Sequence, residues 1–266
     1  MNVMIMENAA DASRDVAKEV ACLIRGKPDA VLGLATGGTP LALYAELIRM
    51  HKEEGLDVSG VTTFNLDEYV GLPAEHEQSY HRFMWENLFS QINVRSENVH
   101  IPDGTVSDSS SYCAEYEQAI RDAGGIDLQL LGIGADGHIG FNEPLSALQS
   151  RTRVKALTPA TIAQNAWHFS VPEKMPRRAL TMGVGTILEC RRCILLATGE
   201  SKAEIIAAAV EGPITSMISA SALQLHPHCT IIVDEAAAGC LRGKDYYRWI
   251  FDNEPEWQLY RKSLKR

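Results

Sequence analysis

Between positions 136 and 143 the sequence places an imidazole and two carboxylates, Asp136, His138 and Glu143, in one short glycine-rich run. Histidine can move protons near neutral pH because its reference pKa lies there, and flanking carboxylates orient the ring and favour its charged form. Residues 128–133, just before this run, are apolar and predict a buried strand, so the three groups are delivered at a strand end. Asp67 and Glu68 follow a second predicted strand, and Asp67 is a candidate base. Thr36-Gly37-Gly38-Thr39 links a third strand to a helix, with Thr39 placed to cap it and Pro40 in its first turn. Free N–H groups and the helix dipole there form a cradle for an anion. Lys202, at the start of another helix, adds a compact positive charge for the same anion. Gly132, Gly134 and Gly137 also have the spacing of a dinucleotide-binding loop, but that motif needs a helix to begin at the third glycine. Gly140 and Pro144 follow instead, and the nucleotide reading is set aside.

The elements that must position these groups follow from periodicity and punctuation. Helical spacing covers residues 9–25, 40–52, 80–89 (with Ser79 as cap), 111–123 and 203–210. Strands are expected at 30–34, 61–65, 128–133, 194–197 and 230–233, with an extended piece at 99–101. Residues 177–188 are expected to be helical. Residues 145–176 show no clear period and contain Pro159, Pro172 and Pro176, as lids and subunit contacts often do. Residues 244–259, with Tyr246, Tyr247, Trp249, Phe251 and Trp257, read as a helix packed across the domain. Strands alternating with helices imply a single α/β domain, a mostly parallel sheet with helices on both faces. In such sheets ligands bind at the carboxyl ends of the strands, where all four chemical stretches lie.

The formal charge of −9 over 266 residues argues against nucleic acid and against an anionic membrane surface. An anionic substrate is compatible only with a locally positive site. The N-terminus lacks a basic segment followed by a long apolar one, and no apolar run reaches membrane-spanning length. Six scattered cysteines suit a reducing compartment, so a cytoplasmic location is expected. Cys190 and Cys193 form one C-x-x-C without a second pair at zinc-finger spacing, and read as a plain helix-to-strand connection.

Five motifs, in order and in register over about residues 28–235, resemble the glucosamine-6-phosphate deaminase family. They are Gly-Leu-Ala-Thr-Gly-Gly-Thr-Pro from Gly33, Thr-Phe-Asn-Leu-Asp-Glu-Tyr-Val-Gly-Leu from Thr63, Gly-Ala-Asp-Gly-His-Ile-Gly-Phe-Asn-Glu-Pro from Gly134, Ser-Arg-Thr-Arg from Ser150, and Ala-Leu-Gln-Leu-His from Ala222. The resemblance implies a Rossmann-like sheet and an aldose–ketose isomerisation with loss of ammonia, glucosamine 6-phosphate giving fructose 6-phosphate. By the same resemblance His138 opens the sugar ring, Asp136 and Glu143 hold and tune it, and Asp67 carries the proton from C2 to C1. The Thr36–Thr39 turn and Lys202 bind the phosphate. No metal or organic cofactor is implied, and the expected assembly is a homo-oligomer, often a hexamer.

Two departures stand out. Trp167 occupies the position where the family carries a phosphate-binding arginine, leaving His168, Arg177 or Arg178 to substitute, or phosphate affinity to be weaker. Ser146, Arg153 and Lys155 match part of the family's second anion site, for N-acetylglucosamine 6-phosphate, but Ala156 replaces a threonine. The rival readings are a galactosamine-6-phosphate deaminase, a 6-phosphogluconolactonase-like hydrolase and a sugar-phosphate sensor. The acid–base groups weigh against a sensor, which has no use for them.

Overall fold

The computed structural model describes residues 1–169, 175–255 and Trp257. The chain begins with β1 (Asn2–Met6) and α1 (Ala9–Gly26), whose first turn is capped by the Asn8 side chain. It then enters the centre of the sheet as β2 (Val31–Leu34), continues into α2 (Leu41–Glu54), and returns as β3 (Thr62–Asn65). A short β4 (Asp67–Tyr69) peels away and leads to α3 (Tyr80–Asn87), capped by Ser79 as expected. β5 (Val99–His100) closes one edge, and α4 (Ser109–Asp122) carries the chain back to β6 (Leu128–Leu131) beside β2. Next come β7 (Arg153–Ala156), α5 (Pro159–Asn165), β8 (Arg178–Thr181) and α6 (Val184–Leu188). β9 (Arg192–Ala197), α7 (Ala203–Glu211), β10 (Cys229–Asp234) and α8 (Lys244–Asn253) complete the described elements.

Among the described residues, seven strands form a parallel sheet in the order β1-β10-β9-β6-β2-β3-β5. Both faces are covered, so strands such as Leu128–Leu131 and Arg192–Ala197 are apolar almost throughout. α1, α2 and α3 pack on one face around Val16, Leu43, Tyr44 and Met84. α4, α6 and α7 pack on the other around Tyr116, Ile187 and Ile206. β2 sends its chain to the first face, whereas β6 lies at its side and is reached from the second. The crevice between the two strands' carboxyl ends is the point where an open α/β sheet binds ligands. None of the described helices is long and apolar enough to cross a membrane.

Three sequence expectations are corrected. Residues 177–188 are not one helix. Arg178–Thr181 is the middle strand of a second, antiparallel sheet, β4-β8-β7, because partners on both sides satisfy its backbone. Gly183 then lies against the Ser150 carbonyl, where a Cβ would come within 1.9 Å of the oxygen, and the helix starts only at Val184. Residues 145–176 are more ordered than their period suggests, supplying β7, α5 and a 3-10 turn at Ala166–His168. Residues 170–174 of that stretch lie outside the described residues. Thr39 does not cap α2: Pro40 holds the cap position without a side-chain bond, and Leu41 N–H turns back to the Gly38 carbonyl. At the C-terminal end, α8 stops at Asn253 with Tyr246 and Trp249 exposed, while Trp257 is buried against the first face; the remainder of that expectation lies outside the described residues.

Candidate active site

Two loops at the switch point and two neighbouring segments enclose a cavity of about 310 Å³. Its lining includes Thr36, Gly37, Gly38, Thr39, Asp67, His138 and Lys202. The four stretches singled out by residue type therefore do converge. Asp136 and Glu143 stand behind His138, outside the lining.

The histidine loop is held from several sides. Gly134 N–H donates to the His138 carbonyl, Ile139 N–H to Ser219 Oγ, and Ser219 Oγ in turn to the Asn142 carbonyl. Gly137 sits in the left-handed region at φ +86°, which turns the loop back beneath the imidazole. A Cβ at Gly134 would lie 2.3 Å from His138 Nε2, so the ring rests on bare backbone there. Gly134→Ala is accordingly expected to displace the ring and cut turnover about a hundredfold with the fold intact. Steady-state rates beside circular dichroism would check this, and an unchanged rate would show that the ring's seat tolerates a methyl.

His138 Nδ1 lies 2.6 Å from Asp136 Oδ1 and 3.5 Å from Glu143 Oε2, as an ion pair rather than a straight hydrogen bond. Burial opposes charge on the imidazole, but Asp136 and then Glu143 outweigh it and raise its pKa to about 9. Asp136, in spite of its own burial, is lowered to about 2 by the same pairing. At neutral pH the ring is therefore an imidazolium, and histidine begins as a proton donor. Asp136, His138 and Glu143 place their ligand atoms within 4.8 Å of one another, a set able to hold a metal ion. With the imidazole charged, an ion could bind there only by displacing its proton.

Glu143 is buried and reaches forward as well. Its carboxylate accepts from Thr158 N–H at 3.1 Å and Thr158 Oγ at 3.3 Å, and Thr158 is the cap of α5. Thr161, Gln164, Asn165 and Trp167, from α5 and the turn after it, line the cavity. The stretch whose lack of period suggested a lid or a subunit contact thus contributes one wall, tied at its base to the histidine loop.

Asp67 is buried in the cavity wall, in register with Thr181. Burial first, and the charge of Glu68 second, raise it to about 7. It is only about half ionised at pH 7, less than the reference value of an exposed aspartate implies. Glu68 has another task. Its carboxylate accepts from Tyr69, Tyr80 and His81 N–H at 2.8, 3.0 and 2.9 Å, anchoring the start of α3. Tyr80 lines the cavity beside Thr36 and had no sequence signal beyond following a cap.

Lys202 donates to the Ile133 carbonyl at 2.8 Å, which holds its ammonium over the cavity, and burial lowers its pKa. In the same lining, the N–H groups of Gly37, Gly38 and Thr39 are not spent on other backbone carbonyls among the described residues. Lys202 is the one lysine or arginine among the described lining residues. Arg177 and Arg178 are exposed and do not line the cavity, and nothing described of His168 places it there. Ser146 and Arg153 touch the site from outside: Ser146 Oγ donates to the Glu143 carbonyl at 2.7 Å, Arg153 to Asn142 Oδ1 at 2.9 Å. Lys155 is half-buried on β7, two residues along the same strand from Arg153.

Residues 6–231 match the family model described as glucosamine-6-phosphate isomerases/6-phosphogluconolactonase. The chain belongs to this family. A glucosamine-6-phosphate deaminase of Arthrobacter sp. (strain FB24) is 50% identical over 258 residues, 97% of this chain and 99% of the relative. A solved monomeric glucosamine-6-phosphate deaminase aligns with a TM-score of 0.88 at 44% identity, over 90% of this chain and all of the other. A 6-phosphogluconolactonase from Trypanosoma cruzi shares the fold at a TM-score of 0.71 and 23% identity, over 91% of this chain and 97% of its own. Across the glucosamine-6-phosphate isomerase/6-phosphogluconolactonase family, then, the deaminase branch is similar in sequence and fold, the lactonase branch in fold.

Proposed function

We propose that the chain deaminates and isomerises glucosamine 6-phosphate to fructose 6-phosphate and ammonia. The observation that carries this is one cavity in which a buried carboxylate, an imidazolium and an anion cradle face each other. The cradle and Lys202 take the phosphate, and this remote binding energy holds the sugar in reacting geometry. His138, protonated at the start, gives its proton to the ring oxygen as the bond from C1 breaks, and the anomeric hydroxyl returns its proton to the imidazole as it becomes the carbonyl of the open aldehyde. Asp67 in its ionised form removes the C2 proton. Because C2 bears the amine, and His138 gives O1 a proton as the C2 proton leaves, the enol-type intermediate is an enolamine. Return of the proton from Asp67 to C1, with one N–H proton passing back to His138, leaves a ketimine. Water then hydrolyses the ketimine and releases ammonia. Asp136 and Glu143 act through His138, setting its charge and orientation.

Ammonia release and fructose 6-phosphate formation from glucosamine 6-phosphate test the reading, with galactosamine 6-phosphate and 6-phosphogluconolactone run beside it. Turnover confined to the lactone would replace the proposal by the hydrolase reading. Lys202→Gln is expected to raise KM for the phosphorylated sugar at least tenfold, the loss of a charge-assisted bond with no arginine among the described lining residues to share its work. An unmoved KM would mean that the cradle alone binds the phosphate.

We also propose a cytoplasmic location, in keeping with six free cysteines, and a homo-oligomer. The solved relative is monomeric, and sedimentation velocity decides the second point. Activation by N-acetylglucosamine 6-phosphate at Ser146, Arg153 and Lys155 is supported by the bonds of Ser146 and Arg153 to the histidine loop. A rate-versus-substrate curve unmoved by that ligand removes it.

A further inference from the structure

At the end of the sheet opposite the cavity, the entries to β9 and β10 bring together side chains that the reaction does not use. Cys190 and Cys193 flank Arg191-Arg192 at the first entry, and His226 and Cys229 stand at the second. Cys193 and Cys229 are register partners. The ligand atoms of Cys190, Cys193 and His226 lie within 4.8 Å of one another, and all three residues are buried. By residue type this set suits a soft metal ion, and the imidazole decides whether it can take one. His226 Nδ1 lies 3.0 Å from His228 N. A peptide N–H only donates, so Nδ1 carries the lone pair and Nε2 the hydrogen. Nε2 is 2.8 Å from the Cys190 carbonyl oxygen and 3.5 Å from Cys190 Sγ. The nitrogen facing the sulfurs thus presents a hydrogen where a metal needs a lone pair. A thiolate needs that hydrogen.

We propose that Cys190 and Cys193 form a thiol modification site, which hydrogen peroxide converts to an intramolecular disulfide with Cys190 as the attacking sulfur. The Cys190 thiolate attacks one peroxide oxygen, the O–O bond breaks, and hydroxide leaves to be protonated to water. Cys190 is then a sulfenic acid. The Cys193 sulfur attacks it, the S–S bond forms, the S–O bond breaks, and the hydroxyl leaves with the Cys193 proton as a second water. Two thiols give up two electrons and two protons, and the peroxide takes them.

The surroundings assign the order of attack. Cys193 as donor, together with His226 and the Gln129 N–H, outweighs burial and holds the Cys190 thiol down, while its bonds to Cys190 and Cys229 push Cys193 up. Cys190 is 6% exposed as a residue and Cys193 1%, so the residue less closed to solvent is also the one with the larger thiolate fraction. Cys229, fully buried beside Cys193, is the competing partner.

The test uses the full chain carrying Cys22→Ser and Cys240→Ser, which removes the exposed thiols. It is treated with hydrogen peroxide, alkylated with N-ethylmaleimide in denaturant and digested with trypsin without reductant. Trypsin cuts after Arg191 and Arg192, so residues 179–191 and 193–202 remain joined only through the disulfide. The expected product is that joined pair, two hydrogens lighter than its parts and released by dithiothreitol. Cys193→Ser is expected to abolish it and leave a Cys190 sulfenic acid that dimedone traps. His226→Phe is expected to slow loss of the Cys190 thiol about fivefold, the effect of one hydrogen bond. Joining of either peptide to residues 203–242, through Cys229, would overturn the pairing. Full alkylation of both cysteines after peroxide would overturn the site. One zinc ion retained per chain after desalting, and lost in Cys190→Ser, would assign the cluster to metal instead.

Discussion

Asp67→Asn is expected to lower kcat about a thousandfold while the phosphorylated sugar still binds. The amide has the shape of the carboxylate but cannot take the C2 proton. Asp67 is the one carboxylate among the described residues lining the cavity, so no neighbour inherits the role. Glu68, next in sequence, is committed to three backbone N–H groups at the start of α3. The wild-type kcat/KM should rise as pH passes about 7, where Asp67 ionises, and this limb should disappear in the variant.

Stability should move the other way. The folded pKa of Asp67 lies above its unfolded value, so between about 4 and 7 the folded state binds more protons than the unfolded one. This group therefore costs stability progressively as pH rises through that window, and the cost is complete above pH 7. Asp67→Asn removes it, and the variant is expected to melt higher than wild type at pH 8 while turning over far more slowly. Exchange of the C2 hydrogen with solvent, thermal melts and calorimetric binding of an unreactive 6-phospho sugar separate base from scaffold. Undiminished C2 exchange in Asp67→Asn would remove the proposed base.

The second large effect is at His138, where glutamine is expected to cost several hundredfold in kcat. Wild-type kcat/KM should fall above about pH 9, because the imidazolium that protonates the ring oxygen is lost there. His138→Gln should lose this alkaline limb. Asp136→Asn should keep the histidine but move the limb downward, because burial still opposes the charge and its main counterweight is gone. A limb that stays near 9 in Asp136→Asn would show that Glu143 alone sustains the imidazolium. A pH series on the two variants distinguishes the donor from the residue that tunes it.

What the residues determined by themselves was the set of groups and their delivery to strand ends. Apolar runs bounded by glycine marked β2, β6 and β9, and a doubly covered parallel sheet has a single binding edge, so Thr36, Asp67, His138 and Lys202 could be assigned to one place. What tertiary structure alone decided was why Asp67, already the candidate base, and not Glu68 faces the cavity, and how each group is charged. Asp67 and Glu68 are adjacent in the chain, and only the packing of α3 onto Glu68 leaves Asp67 to the site. An aspartate raised to about 7 is half protonated and a histidine raised to about 9 is charged at neutral pH, unlike their reference forms, because burial and ion pairing depend on distances that residue spacing does not contain. The same holds for Arg178–Thr181, whose strand exists because β4 and β7 lie on either side of it. It holds for Cys190 and His226 as well, 36 positions apart and brought within 3.5 Å by the parallel pairing of β9 with β10.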